Sequence, residues 1–165
     1  DVVVHDGAPG SDWATTAEPG SIVGLLGPGG GGMPPEADHL VLAGDETALP
    51  AIARMLENLP ASARATVLIE VADRAETQDL RSAADIDLQW LSRDGSPAGS
   101  TDLLATAVRG LDWDTLPART QVWCACEQAT ARKVRRFLDK ERSFAKTART
   151  SVAYWRLGAT TTVAD

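Results

Sequence analysis

Apolar and polar positions in this chain recur with two periods, and the switches between them mark its elements. The run His39 to Ala43 is short and apolar. From Thr47 to Leu59, Ile52, Met55, Leu56 and Leu59 recur at i, i+3, i+4 and i+7. That spacing puts four apolar side chains on one face of a helix. Pro50 falls in its first turn, where a missing N–H does little harm, and Pro60 ends it. The alternation then repeats. Strand Thr66 to Val71 is followed by a short helix near Glu76 to Ala83, and strand Ile86 to Leu91 by helix Thr101 to Arg109. Strand Gln121 to Cys126, a long helix from Ala129 to Arg142 and strand Ser151 to Leu157 complete the order. Five strands alternating with helices predict an α/β fold, a doubly wound five-stranded parallel sheet, because each parallel connection must cross a face. The first, second and fourth strands are continuously apolar, as central strands covered on both sides are.

The first part of the chain reads differently. Residues 2–5 and 21–26 suggest strands, joined by a short helix from Ser11 to Ala17. Gly27-Pro28, Gly29 to Gly32 and Pro34-Pro35 exclude regular structure. This gives an expected organisation of residues 1–27 as one element, 28–37 as a linker and 38–165 as the main domain. The chain opens on Asp1 and enters Val2-Val3-Val4 as if in mid-strand, which suggests a piece of a longer protein.

Composition narrows the function. With 165 residues and 44% hydrophobic content, the chain can bury a core without disulfides or a structural metal. No apolar run has the length of a membrane-spanning helix. A net charge of −7 argues against a general nucleic-acid binder. Residues 132–156 nevertheless carry nine bases and two acids, so the remainder carries −14. Such asymmetry draws an anionic ligand to one side, although a solvated helix face produces the same pattern. Cys124 and Cys126, two apart in a strand, read as core thiols in a reducing, cytoplasmic setting. His5 and His39 lie far apart, and no metal-ligand spacing or Ser-His-Asp order forms around them.

In a doubly wound sheet, ligands sit beyond the carboxyl ends of the strands. The first turn, Gly44-Asp45-Glu46-Thr47, offers a glycine for close backbone approach and a helix N-terminus for a phosphate. It is neither a GxGxxG fingerprint nor a P-loop, and its two acids repel pyrophosphate unless they cap the helix. Glu70, followed by Asp73 and Arg74, leaves two options open: an acid for a ribose hydroxyl or an arginine for a 2′-phosphate. Arg93 ends the third strand as a further candidate phosphate ligand. Cys126-Glu127 ends the fourth, where small residues let a flat ring lie over the backbone. The acid beside Cys126 argues against thiol catalysis.

Taken in order, Leu40-Val41-Leu42-Ala43-Gly44-Asp45-Glu46-Thr47-Ala48-Leu49-Pro50, Ile69-Glu70-Val71-Ala72-Asp73, Trp90-Leu91-Ser92-Arg93, Trp123-Cys124-Ala125-Cys126-Glu127 and Tyr154-Trp155-Arg156-Leu157-Gly158 resemble the C-terminal domain of siderophore-interacting proteins. Val2-Val3-Val4-His5, Trp13-Ala14 and Pro19-Gly20 resemble the end of that family's flavin-binding barrel. The resemblance implies a ferredoxin-reductase-type nucleotide domain preceded by a remnant of the barrel. It implies a flavin-dependent ferric-siderophore reductase that passes hydride from NADH or NADPH to FAD and electrons to siderophore-bound Fe(III). The alternative is a non-catalytic module that binds a nucleotide or siderophore for docking or regulation.

Carried onto this sequence, the resemblance assigns Gly44, Asp45, Glu46 and Thr47 to the nicotinamide-nucleotide site, with Arg93, Cys126 and Glu127 at its rim. Cys126 stands where the family usually has glycine, which narrows that pocket. Tyr154, Trp155 and Arg156 are the expected catalytic group at the flavin–nicotinamide junction. His5 and Ser11 are expected on FAD, and Lys146 on the ferric siderophore. The family's main flavin motif is absent from this chain, so FAD is expected to be held mostly by a missing N-terminal domain, and the fragment alone to be inactive. A cytoplasmic location follows, with a membrane involved only where such a domain is fused to a transporter.

Overall fold

In the computed structural model of this chain, residues 2, 4, 9–24 and 37–159 are described. His5 and residues 25–36, which hold nearly all of the expected linker, lie outside the described residues. The backbone divides into two compact units, one of residues 1–33 with 158–165, the other of residues 34–157.

The first unit contains helix α1, Pro9–Thr16. Proline in the first turn suits a helix start. Thr15 and Thr16 hydroxyls bond back to the carbonyls of Ser11 and Asp12. Ser11, expected at the N-terminus of this helix, is its third residue and is buried. The expected strand at 21–26 does not form over Ser21–Gly24. Ile22 is 98% exposed there. An apolar β-prone stretch becomes a strand only where a neighbouring strand takes its backbone groups.

The second unit is the expected parallel sheet. Its strands are β1 (His39–Gly44), β2 (Arg64–Val71), β3 (Asp85–Ser92), β4 (Thr120–Glu127) and β5 (Arg149–Trp155), in the order β3-β2-β1-β4-β5. All four pairings are parallel. The three continuously apolar strands are the central three. Helix α2 (Leu49–Glu57) covers one face, with Leu49, Ile52 and Leu56 against Leu40, Leu42, Val67 and Ile69. Helices α3 (Leu103–Gly110) and α4 (Gln128–Lys140) cover the other, with Leu104, Val108, Val134 and Leu138 against Val41, Leu68, Val122 and Cys124.

One element differs. No α-helix forms between β2 and β3; the connection is a 3₁₀ turn, Arg74–Glu76, and then irregular chain. Residues 77–84 lack a 3.6-residue apolar repeat, so a helix there would have no face to bury. Leu80 alone packs inward beside Ala84, while the Ser82 hydroxyl donates to the Leu56 carbonyl at 2.8 Å and takes over part of the backbone's bonding.

Candidate functional site

Because all five strands run the same way, their carboxyl ends form one edge, and the strand order reverses between β1 and β4. That reversal is where an open α/β sheet leaves its ligand crevice. Three acids stand there, and each turns back to cap a helix. Asp45 follows β1; its Oδ1 accepts from Thr47 N at 3.1 Å and the Thr47 hydroxyl at 2.5 Å, starting the 3₁₀ turn Glu46–Ala48 that leads into α2. Glu70, near the end of β2, accepts from the Thr101 hydroxyl at 3.1 Å and from Leu104 N, in the first turn of α3, at 3.2 Å. Glu127 Oε2 accepts from Ala129 N and Thr130 N at the start of α4. Buried backbone N–H groups at helix starts need acceptors, and here the protein's own carboxylates supply them.

The same acids tie the edge together. Asp45 Oδ2 accepts from Glu127 N at 2.9 Å and from the Trp155 indole N–H at 2.8 Å. Its two oxygens thus receive four donors, and the residue is 5% exposed. Glu127 Oε1 accepts from Leu157 N at 3.1 Å. Arg93 places its fork on Glu46, at 3.0 and 2.5 Å, and lies 3.6 Å from Glu70. Its Nε is buried without a hydrogen-bond partner among the described residues. Burial pushes the Glu70 carboxyl above its ordinary range, against the bond from Leu104 N and the charge of Arg93. Burial works most strongly against the Arg93 charge, but the bond and charge of Glu46, with the charges of Glu70 and Asp45, together outweigh it and raise its pKa.

The glycines at this edge serve packing. A Cβ on Gly44 would stand 2.5 Å from Ala48 Cβ and 3.0 Å from the Ala125 carbonyl oxygen, so glycine here lets the turn press against the sheet. Gly99, with φ +73°, lies in the loop before α3; a Cβ there would meet the Trp155 ring at 2.9 Å and Glu127 Cγ at 3.0 Å.

Of the residues singled out in the sequence, Asp45, Glu46, Thr47, Glu70, Arg93, Glu127 and Trp155 are joined by these bonds. Arg74 is exposed and stands outside them. Cys126 is fully buried, with its thiol 3.9 Å from that of Cys124 in the core beneath α3 and α4, rather than at an open rim. The Cys124 thiol, and then burial, push its pKa far up, which suits a core thiol. Tyr154 and Trp155 do not converge. Adjacent strand residues face opposite sides, and Tyr154 instead stacks edge-on with Trp123 at 6.1 Å. Arg156 is exposed. Lys146 lies in the 3₁₀ turn Lys146–Ala148 that precedes β5, at the opposite edge of the sheet from Asp45. His39, at the start of β1, bonds to the Thr66 hydroxyl at 3.0 Å. Burial, and then Arg64, lower its pKa.

The sequence reading missed Thr101 and Gly99, which belong to no strand end, and it missed the indole bond to Asp45. The basic segment is partly neutralised by ion pairs of Lys133 with Asp102, Arg142 with Asp114 and Arg149 with Asp139. Arg132 and Arg135 line a cleft of about 180 Å³ between α4 and β5, together with Gln128 and Ser151. Among the described residues no His, Cys, Asp and Glu cluster has the makings of a metal site.

Comparison with known proteins bears on this edge. The model of the siderophore-interacting protein family matches residues 37–158, and that of the siderophore-interacting FAD-binding domain matches residues 1–32. The chain is 34% identical over 160 residues to the ferric vibriobactin reductase ViuB of Vibrio cholerae, covering 96% of this chain and 58% of that protein. It superimposes on a siderophore utilization protein from T. fusca with a TM-score of 0.87 at 44% identity, covering 96% of this chain and 60% of the other. For the siderophore-interacting protein SipS from Aeromonas hydrophila the TM-score is 0.77 at 32% identity, with 95% and 61% covered. The chain spans about three fifths of the length of these relatives.

Proposed function

This chain belongs to the siderophore-interacting protein family, and from that premise we propose that it forms the nucleotide-domain part of a flavin-dependent ferric-siderophore reductase. The supporting observation is the pairing, in one chain, of the family's domain over 37–158 with the FAD-binding match over 1–32. Its expected substrate is an iron(III) siderophore. Hard oxygen donors hold Fe(III) better than the larger, softer Fe(II), so one-electron reduction loosens the chelate. FAD, when bound, supplies the step from a two-electron donor to one-electron chemistry. Ser11 and His5 are the residues of this chain proposed to touch it. The exposed Lys146, together with Arg132 and Arg135, is proposed to favour an anionic substrate. No helix among the described residues is long and apolar enough to cross a membrane. A cytoplasmic site of reaction is proposed from the two free, buried thiols, Cys124 and Cys126, which suit a reducing setting.

The proposed electron donor is NADH or NADPH, but the carboxyl edge as folded does not fit a dinucleotide. Its helix starts are capped by Asp45, Glu70 and Glu127, and Arg93 is committed to Glu46 and Glu70. This same observation favours the second reading, a non-catalytic siderophore-binding module. The protein carrying the whole flavin domain separates the two. A reductase purifies yellow, its flavin absorbance bleaches anaerobically under NADH or NADPH, and adding a ferric siderophore restores the colour with release of Fe(II). A colourless protein, or a flavin that no donor bleaches, leaves the module reading.

A further inference from the structure

We propose that this chain associates head to tail, the β3 edge of one copy adding to the β5 edge of the next, so that the parallel sheet continues from molecule to molecule. β3 and β5 end the strand order, and among the described residues no further strand pairs with the outer side of either. An edge strand leaves alternate N–H and C=O groups unpaired, and folded proteins guard such edges with charges, proline or a covering element. β5 carries no such guard in its interior. Between Arg149 and Arg156 it reads Thr150-Ser151-Val152-Ala153-Tyr154-Trp155, and its register with β4 is regular as far as Ala153. β3 carries Asp85 and Asp87, both exposed. Those acids discourage pairing with a neutral edge and favour a basic one.

The β5 edge is basic on one face. Ser151 and Ala153 point toward α4 and line the cleft with Arg132 and Arg135. The Ser151 hydroxyl donates to the Ala131 carbonyl at 2.8 Å, which holds the helix against the strand. Lys133, Arg142 and Arg149 are paired with aspartates, whereas Arg132 and Arg135 have no ion pair among the described residues. Residues three apart on a helix have Cβ atoms about 5–6 Å apart, and alternate residues of a strand lie about 6.6–6.8 Å apart. Acids at i and i+2 of an added strand therefore meet both arginines, and Asp85 and Asp87 have that spacing. Ile86, Leu88 and Trp90 turn toward the α2 side of the sheet, so the two aspartates lie on the α3–α4 side, the side of Arg132 and Arg135.

Parallel addition continues the sheet's own direction and keeps its faces. α4 runs back against β5, so pairing Ser151 with Asp85 of a second copy and Ala153 with its Asp87 sets those acids beside Arg135 and Arg132 respectively. On the other face the exposed Val152 and Tyr154 then meet Ile86 and Leu88 of the second copy, both half-buried. Arg64, 3.9 Å from Asp85, forms only an exposed pair with it. β5 does not suit a second β5: antiparallel pairing over Thr150–Trp155 sets Arg149 opposite Arg156 and brings the α4 arginines of both copies together. The contact uses neither the carboxyl-end crevice nor FAD, so its test and the flavin-bleaching test stand or fall separately.

A head-to-tail contact has no built-in end, so growth past the dimer is expected. Sedimentation of this chain up to about 1 mM is the test, with two double variants, Arg132→Glu with Arg135→Glu and Asp85→Lys with Asp87→Lys. Each sets like charges across the contact and is expected to lower the association constant about tenfold or more. An equimolar mixture of the two restores opposite charges at every contact and is expected to associate as wild type does. The lysine variant moves the net charge from −7 to −3, by +2 at each of the two positions, so its loss cannot come from overall repulsion. In wild type, the amide NMR signals of residues 86–89 and 152–154 are expected to shift together as concentration rises.

The contact is overturned by wild type that stays monomeric at about 1 mM, by variants that associate as wild type does, or by a mixture no more associated than its parts. A closed dimer with shifts confined to β5 overturns it too. Should a double variant fail to fold by circular dichroism, the single variants Arg132→Glu and Asp87→Lys, whose positions face one another, repeat the mixing experiment and decide.

Discussion

Replacing Gly44 with alanine separates a packing role from a ligand role at the first strand-to-helix turn. The added methyl would sit 2.5 Å from Ala48 Cβ, 3.0 Å from the Ala125 carbonyl oxygen and 3.0 Å from Ile52 Cδ1. Ile52 can adjust its side chain. Ala125 is part of β4, which is hydrogen-bonded to β1, and cannot move without it, and Ala48 carries the turn into α2. Overpacking of this kind costs about 1–3 kcal/mol, and two rigid neighbours put it at the top of that range. Against it stands a gain of about 0.4–1 kcal/mol from the stiffer unfolded chain. A net loss of about 2 kcal/mol is expected, or a Tm lower by about 4–8 °C for a domain of this size. Urea unfolding followed by circular dichroism measures it. The double variant Gly44→Ala with Ala48→Gly removes the 2.5 Å contact and is expected to recover part of the loss. A Gly44→Ala chain as stable as wild type would refute the packing argument. If its nucleotide affinity alone also fell, the glycine would be there for a ligand.

Two more outcomes follow from the buried polar groups. Glu127→Gln keeps one acceptor for three donors, so stability should drop by about 1–2 kcal/mol in urea unfolding, and Leu157 N–H should exchange faster with solvent; unchanged exchange would show that Oε1 does not hold the end of β5. His39 has a folded-state pKa below that of the unfolded chain, through burial and then Arg64. It therefore contributes stability that is present above the unfolded value and lost as pH falls through the folded one. Proton NMR of the folded chain, with His39→Gln to assign the signal, should give a midpoint below the denatured chain's; a midpoint above it reverses the sign.

Much of this architecture was legible because short-range patterns carried it. The apolar runs at 39–43, 66–71 and 121–126 marked the central strands, and the Ile52, Met55, Leu56 and Leu59 repeat marked α2. The 76–83 helix was misread because charged and polar residues without an apolar stripe fit helix and loop alike. The site was legible as a set of strand ends and illegible as a network. Asp45 and Glu46 looked like obstacles to a phosphate, and nothing local tells that Asp45's partners are a backbone amide 82 residues away and an indole 110 residues away. The same holds for Glu70, which reads as a ribose ligand by position but caps a helix that starts more than thirty residues later. Tyr154-Trp155-Arg156 read as one aromatic-basic group, and strand alternation splits it.

The reach of Asp45 also bears on the order of assembly. Its local bonds to Thr47 can form as soon as the turn does, whereas its other oxygen waits for β4 and β5 to dock on β1. Contacts of such sequence separation close large loops and come late in folding. The carboxylate therefore joins a local turn to two strands that are distant in the sequence. Until β4 and β5 have docked on β1, that oxygen is left to water, and docking replaces the water with the Glu127 amide and the Trp155 indole.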